Sequence, residues 1–263
     1  MSFRIALAQL ASQPFDKAAN LKKAEDYIHQ AARQDAQIII FPELYLTGYS
    51  LGRRAVELAE QLDGPSVSQV ADLARRHAIA IVMGFAELAP NGQAAYDAAF
   101  VVTPTGAAAP LSYRKTHLYH HEKDWFATGA QTAVVPTNFG QMGLMICYDV
   151  EFPELSRTLT LQGADWLAVP TAVMRPYEHI QEVCVQARAL ENHRWLISAN
   201  RVGREGALEF FGRSVVCDPF GRILAQADTS ETLLLADIDL SLNEEARQEG
   251  DYLSDRRPEL YRR

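Results

Sequence analysis

The feature that most constrains the fold of this chain is a regular alternation of short apolar runs with longer amphipathic stretches. Short runs rich in β-branched residues are typical of buried strands, whereas longer stretches with apolar residues three and four positions apart are typical of helices. Alternation of the two from end to end favours an α/β protein over separate all-α and all-β domains. Because no internal repeat or low-complexity linker interrupts the pattern, we expect a single domain over residues 1–263.

The secondary structure predicted from this alternation follows the chain in order. Apolar runs predict strands at 4–10, 37–41, 80–85, 96–102, 111–115, 143–146, 166–170 and 195–200. Amphipathic stretches predict helices at 17–33, 65–77, 153–162 and 177–192. The sequence Asp-Pro-Phe-Gly at 218–221 predicts a turn between two short strands. Roughly the last 20 residues are expected to be irregular.

The charge of the chain argues against several classes of partner. Its formal net charge is −8, whereas a nucleic-acid-binding surface needs clustered Lys and Arg to replace counterions. The basic run of Arg256, Arg257, Arg262 and Arg263 is interrupted by a Pro-Glu pair and is interpreted as a tail. No stretch approaches the roughly 18 apolar residues of a membrane span, and the first apolar run is too short for a signal peptide. We therefore expect a cytoplasmic protein that binds neither nucleic acid nor membranes.

The three cysteines lie far apart and without CxxC spacing. This pattern predicts neither a disulfide framework nor a zinc knuckle. Cys184 and Cys217 are flanked by valines on a predicted helix and strand, so they are interpreted as core residues. Cys147 differs because it comes at the end of a predicted strand and before a polar segment.

Two other reactive residues, Glu43 and Lys115, also follow predicted strands, as Cys147 does. Reactive groups gather at the carboxyl ends of strands in open α/β sheets. A thiol needs a base or a cation to become a nucleophile, so a carboxylate, an ammonium and a thiol suffice for acyl transfer. Taken singly, however, each has an ordinary interpretation: a core cysteine, a charge at a helix N-terminus and a solvated lysine.

The local sequences around these residues resemble the three signatures of the nitrilase superfamily of carbon-nitrogen hydrolases. They are Phe-Pro-Glu at 41–43, Tyr-Arg-Lys-Thr-His-Leu at 113–118 and Cys-Tyr-Asp-Val-Glu-Phe-Pro-Glu-Leu at 147–155. They occur in the order of the family and at similar spacing, and shorter similarities run from Ala-Gln-Leu at 8–10 to Arg-Arg-Pro at 256–258. The resemblance implies a four-layer αββα sandwich that pairs into a homodimer, with the C-terminal tail from about residue 243 at the interface.

The resemblance also implies roles for single residues. Glu43 corresponds to the general base, Cys147 to the nucleophile, and Lys115 to a cationic donor that shares the oxyanion hole with the backbone N–H of Tyr148. Glu122 corresponds to the second glutamate of the family, which favours a functional role over the alternative of a loop charge. One departure is Tyr-Asp at 96–97, where the family often has Tyr-Asn.

The implied reaction is hydrolysis of a small carboxamide by water to an acid and ammonia, without metal or organic cofactor. Tyr148 follows the nucleophile where nitrile-hydrolysing relatives usually carry Trp, which favours an amidase over a nitrilase or an N-carbamoyl amino acid hydrolase. Residues that follow or neighbour the motifs are candidates for the substrate pocket: Tyr49, Tyr119, Trp125, Thr171, Ala172 and Met174.

Two alternatives from other classes stay open at this point. The chain could be a non-catalytic dimeric scaffold or an ammonia-supplying subunit, but it carries all three reactive groups and neither GxxxxGK[ST] nor GxGxxG. A metal site could be formed by His117, His120 and His121, but two adjacent histidines cannot easily face one ion on regular structure.

Overall fold

Two six-stranded mixed sheets lie face to face at the centre of the computed structural model, which describes residues 1–105 and 110–261. The strands are β1 (Ser2–Gln9), β2 (Ile38–Ile40), β3 (Ala80–Leu88), β4 (Ala95–Val102), β5 (Leu111–Arg114), β6 (Ala133–Thr137), β7 (Gly140–Leu144), β8 (Trp166–Thr171), β9 (Trp195–Asn200), β10 (Val202–Glu205), β11 (Leu208–Phe211), β12 (Val215–Cys217), β13 (Ile223–Gln226) and β14 (Thr232–Asp239). The order is β14-β1-β2-β3-β4-β5 in the first sheet and β13-β12-β9-β8-β7-β6 in the second, with β10 and β11 as a separate hairpin.

The described part of the chain also contains helices, the longest of which cover the outer faces of both sheets. They are α1 (Lys17–Arg33), α2 (Ala55–Leu58), α3 (Pro65–His77), α4 (Glu122–Trp125), α5 (Pro153–Leu161), α6 (Glu178–Asn192), α7 (Leu242–Glu249) and α8 (Pro258–Tyr261). Asp16 caps α1 by accepting a hydrogen bond from the Ala19 backbone N–H at 2.9 Å, and proline opens both α3 and α5.

The side-chain alternation of strand β1 shows how the layers form. Ile5 and Leu7 point into the apolar core between the two sheets, whereas Ala6 and Ala8 face the opposite way, toward α1 and α3. A third apolar cluster lies between the second sheet and helices α5 and α6. The predicted four-layer αββα sandwich is therefore confirmed.

The predicted strands and helices all occur within a few residues of their expected positions, although the strand predicted at 143–146 lies at Gly140–Leu144. The prediction of an irregular C-terminus was wrong, because α7 forms there and buries Ala246. Arg262 and Arg263 of the basic tail lie outside the described residues. Cys217 is buried, and Cys184 packs at the edge of the same outer cluster. Among the described helices, none is long and apolar enough to cross a bilayer.

Candidate active site

Glu43 lies just beyond the carboxyl end of β2, in a segment pressed against β3. A Cβ atom on Gly84 of β3 would come within 2.3 Å of the Pro42 carbonyl oxygen, so only glycine permits this approach. The Glu43 backbone N–H also points across to the second sheet, toward the Thr171 carbonyl at 3.4 Å. These contacts fix the segment between the two sheets, where the Glu43 side chain is fully buried.

Lys115 directly follows β5, and its side chain is also fully buried. Its ammonium is ion-paired with Glu43, donates to Glu122 Oε2 at 2.7 Å and lies 3.2 Å from Asp97 Oδ2. Its backbone N–H donates to the Asp97 carbonyl at 2.8 Å. Burial alone lowers the pKa of Lys115, but the carboxylates of Glu122, Glu43 and Asp97 outweigh it and raise this pKa well above its usual value. The lysine is therefore held as a cation.

Three carboxyl groups surround this single ammonium, with oxygen atoms of Glu43, Asp97 and Glu122 all within 4.8 Å of one another. Burial, together with the charges of Glu43 and Glu122, raises the pKa of Asp97 well above its usual value despite the opposing effect of Lys115. Asp97 therefore keeps its proton to higher pH than an exposed aspartate does. Among the described residues, both Asp97 oxygens and Glu43 Oε2 lack other hydrogen-bond partners, which fits a proton shared between them.

The carboxyl cluster also has spacing that a metal ion could use. The Lys115 ammonium already occupies the cationic position, because it contacts all three members. The histidines considered as metal ligands do not converge in the described part of the chain. His117 bonds to Asp149 through Nδ1 at 2.8 Å, whereas His120 and His121 line an outer depression.

Cys147 follows β7 by three residues and starts a 3₁₀ helix, Cys147–Glu151. Its φ angle is +45°, in the left-handed region that residues other than glycine rarely adopt. The neighbouring Ile146 N–H donates to Asp149 Oδ2 at 3.0 Å, which anchors this sharp change of direction. The turn leaves Cys147 on the wall of a cavity rather than inside the core.

The thiol of Cys147 is held in its protonated form. Burial raises its pKa well above the usual value, and the nearby Glu43 carboxylate raises it further, whereas Lys115 lowers it. A hydrogen bond from the Thr171 side chain favours the thiolate as well, but the raising effects prevail. Nucleophilic attack by this sulfur therefore requires a base that removes its proton.

Asp149 joins the segment after Cys147 to the segment after Lys115. Its carboxylate is fully buried and accepts from the Tyr113 hydroxyl at 2.7 Å, the Thr116 hydroxyl at 2.9 Å and the His117 N–H at 3.0 Å. Two segments from different sheets are thus fixed to one acceptor. Nothing in the sequence besides its place inside the third motif singled out this residue.

The cavity beside the sulfur has a volume of about 150 Å³ and is bordered by an outer depression of about 290 Å³. Tyr49, Tyr119, Ala172 and Met174, which the sequence suggested, line this inner cavity together with Tyr148. Trp125 lines only the outer depression, whereas Thr171 lies beside the sulfur without lining either space. Sequence reasoning missed Glu151 and Tyr177, which also line the inner cavity.

Glu122 is buried at the first turn of α4 and contacts three elements of the site. Besides Lys115, it accepts from the Tyr119 backbone N–H at 2.8 Å and from the Tyr49 hydroxyl. Burial raises its pKa despite the opposing charge of Lys115. Glu122 is therefore part of the buried cluster rather than a solvated loop charge.

Comparison with known proteins agrees with this arrangement. The carbon-nitrogen hydrolase family matches residues 4–248. An (R)-stereoselective amidase from a Pseudomonas species is 38% identical over 255 residues, covering 97% of this chain and 91% of that protein. A nitrilase from Pyrococcus abyssi is 37% identical over 265 residues, covering 98% of each chain.

A crystal structure of an amidase from Nesterenkonia sp. superposes with a TM-score of 0.87 at 34% identity, covering 98% of this chain and 95% of that one. A variant of the same amidase, with a TM-score of 0.87 at 33% identity and the same coverage, carries the acetamide moiety of fluoroacetamide on its active-site cysteine. From its motifs, its fold and these matches, the chain belongs to the carbon-nitrogen hydrolase family of the nitrilase superfamily.

Proposed function

We propose that this protein hydrolyses small carboxamides to the carboxylic acid and ammonia through a thioester on Cys147. The observation that carries this proposal is a thiol on the wall of a small cavity, Cys147, with a buried carboxylate and a buried ammonium close enough for their charges to act on it, Glu43 and Lys115. The amidase names of two similar proteins, and the cysteine adduct in one of them, support the same chemistry.

In the first half-reaction, Glu43 takes the thiol proton as the sulfur of Cys147 attacks the amide carbonyl. The carbonyl oxygen becomes an oxyanion, which the Lys115 ammonium and the Tyr148 backbone N–H stabilise. Tyr148 is the second residue of a 3₁₀ helix, where backbone N–H groups have no acceptor within the helix. A donor of this kind contributes about 100- to 1,000-fold in rate. The carbon–nitrogen bond then breaks, and Glu43 returns its proton to the leaving ammonia.

In the second half-reaction, Glu43 removes a proton from water as the water oxygen attacks the thioester carbonyl. The carbon–sulfur bond breaks, the acid leaves, and the proton on Glu43 returns to the sulfur of Cys147. One carboxylate thus acts as base and acid in turn, as microscopic reversibility requires. Glu122 acts as a positioning residue, since it holds Lys115 charged and in place through the 2.7 Å contact.

Two alternative reactions use the same nucleophile. One similar protein is called a nitrilase, so nitrile hydrolysis is the second candidate, and cleavage of N-carbamoyl amino acids is the third. Tyr148 in place of Trp favours amides over nitriles. A non-catalytic scaffold is disfavoured because the nucleophile on the cavity wall lies within electrostatic reach of the groups needed for proton transfer and oxyanion binding.

The test is ammonia release from a panel of small amides, nitriles and N-carbamoyl amino acids. We expect turnover of amides by the wild-type protein and none by Cys147→Ala, whereas Cys184→Ala, a matched change at a half-buried thiol, keeps full activity. Full activity in Cys147→Ala, or turnover of nitriles alone, contradicts the proposal.

We further propose that the protein is a cytoplasmic homodimer, with the tail from about residue 243 at the interface. The three free thiols favour a reducing compartment. Exposed apolar side chains on α6 and α8 support pairing through this side of the sandwich, namely Val183, Leu190, Leu260 and Tyr261.

A further inference from the structure

Glu151 is a carboxylate on the wall of the inner cavity that the catalytic proposal does not use. It ends the 3₁₀ helix that begins with Cys147, and its side chain is half-buried. The side chain forms neither a hydrogen bond nor an ion pair with any described residue. Arg188, the cation whose charge acts most strongly on Glu151, instead donates to the backbone carbonyls of Val150 at 2.9 Å and Glu151 at 3.0 Å, and pairs with Glu191 at 3.2 Å.

No other described residue on the wall of this inner cavity carries a charge. Lys115, behind the sulfur, is already compensated by the surrounding carboxyl groups. Burial raises the pKa of Glu151 and outweighs the charges of Arg188 and Lys115, which lower it, so these cations compensate the ionised form only in part. A cation that enters the cavity therefore meets a negative charge with no direct partner, whereas an anion meets repulsion.

Tyrosine rings surround the same space. Tyr119 lies 5.2 Å from Tyr148 and 6.2 Å from Tyr177, measured between ring centroids, and all three rings line the cavity. Aromatic faces attract ammonium groups through their quadrupole. A carboxylate beside several such rings is a suitable binding site for an organic ammonium group. With about 150 Å³ available, the group that carries it must be small.

We propose that Glu151 is a specificity-determining residue that binds an ammonium group of the substrate, so that the preferred substrates are amides of small amino acids. This inference rests on the proposed amide hydrolysis and names its substrate class. It also disfavours N-carbamoyl amino acids, since their carboxylate would face the Glu151 carboxylate.

The experiment compares kcat/KM for three small amides that differ in charge: alaninamide, the nearly isosteric neutral isobutyramide, and anionic malonamate. We expect the wild-type protein to favour alaninamide over isobutyramide by about tenfold or more, because a charge-assisted hydrogen bond contributes about that factor. Glu151→Gln lowers this ratio about tenfold. Glu154→Gln, which removes the same charge from an exposed position on α5, leaves the ratio unchanged.

A pH series separates charge recognition from shape. The amine of alaninamide loses its proton near pH 8, so the wild-type preference over isobutyramide falls above that pH. In Glu151→Gln the preference is small at every pH. A wild-type preference for isobutyramide or malonamate, or a ratio that Glu151→Gln does not change, overturns the inference while leaving amide hydrolysis intact.

A binding measurement keeps the inference testable without turnover. The affinities of Cys147→Ala for alaninamide and isobutyramide, measured by calorimetry, are compared with those of the Cys147→Ala, Glu151→Gln double variant. Tighter binding of alaninamide that depends on Glu151 supports the inference, whether or not ammonia is released. Absence of ammonia release from every amide contradicts only the proposed function. Equal affinities for the two amides overturn the inference.

Discussion

At the scale of single residues, Asp97 determines how much negative charge the buried cluster carries. Burial and the neighbouring carboxylates raise its pKa well above the usual value, which favours the neutral form of the side chain. A neutral carboxylic acid can donate one hydrogen bond, as an amide can. The chain therefore tolerates a third carboxyl beside Lys115 because this carboxyl retains its proton.

We predict that Asp97→Asn is more stable than the wild-type protein at neutral pH and that its advantage grows with pH. In the unfolded chain Asp97 ionises near pH 3.9, whereas in the folded protein it keeps its proton to higher pH. From about pH 4 upward the wild-type fold thus binds one more proton than the unfolded chain, and its stability falls with rising pH. The stability of Asp97→Asn lacks this contribution to its pH dependence, because an Asn side chain does not ionise.

The measurement is Tm at several values between pH 4 and pH 8 for both proteins. Asp124→Asn, on the exposed face of α4, serves as a control that should follow the wild-type curve. Parallel curves for Asp97→Asn and the wild-type protein contradict a protonated Asp97.

At the scale of elements, Asp149 couples the exit of β5 to the 3₁₀ helix that carries Cys147. Replacement by Asn removes one acceptor oxygen and turns an N–H₂ group toward the donors of that oxygen, which are Tyr113 and the Ile146 N–H at Oδ2 or Thr116 and the His117 N–H at Oδ1. Each buried donor left unpaired costs about 1 to 3 kcal/mol. We therefore expect Asp149→Asn to lower the free energy of unfolding by about 2 to 4 kcal/mol.

The same substitution should lower kcat more than it raises KM, because it loosens the relative position of Cys147 and Lys115 rather than the cavity wall. Urea unfolding and steady-state kinetics on one amide measure both effects. A variant with wild-type kcat shows that this link has no part in positioning the two groups.

How well the sequence predicted each element follows from its burial. The sequences of helix α1 and strand β1 carry clear patterns, because α1 buries one face and β1 buries both. Strand β13 at the sheet edge and helix α7 at the C-terminus bury few residues, so their sequences carry little pattern. The turn at 218–221 nevertheless identified β13, whereas α7 was missed.

The site residues show the same dependence on motif and burial. Glu43, Lys115 and Cys147 were found because each lies in a recognisable motif at the end of a strand. Glu151 lies inside the third motif, but its place on the cavity wall depends on a 3₁₀ turn that the sequence alone does not reveal. Tyr177 lies outside the motifs, directly before α6, and joins the cavity only through the packing of that helix against the second sheet.

At the scale of the whole molecule, the exposed apolar surface on α6 makes the proposed dimer testable. Val183 is 65% exposed, and Leu190, seven residues further along the same face of α6, is 41% exposed, so the two form an apolar surface that a partner could cover. We predict that the wild-type protein has twice the 29.3 kDa mass of one chain and that Val183→Asp shifts it toward the monomer. Light scattering after size-exclusion chromatography measures both masses.

Val56→Asp introduces the same charge at an exposed valine on α2 and should leave the mass unchanged. A wild-type monomer, or a dimer that resists Val183→Asp, contradicts pairing through this face. Neither result tests the chemistry proposed for Cys147, because Cys147, Glu43 and Lys115 all belong to the same chain.

The thioester is tested most directly by mass spectrometry of the protein quenched during turnover of a slowly hydrolysed amide. We predict that the peptide containing Cys147 gains the mass of the acyl group, that hydroxylamine removes this mass, and that Cys147→Ala shows no gain. Turnover without an adduct under saturating substrate, or an adduct on Cys184 or Cys217 instead, would contradict the account.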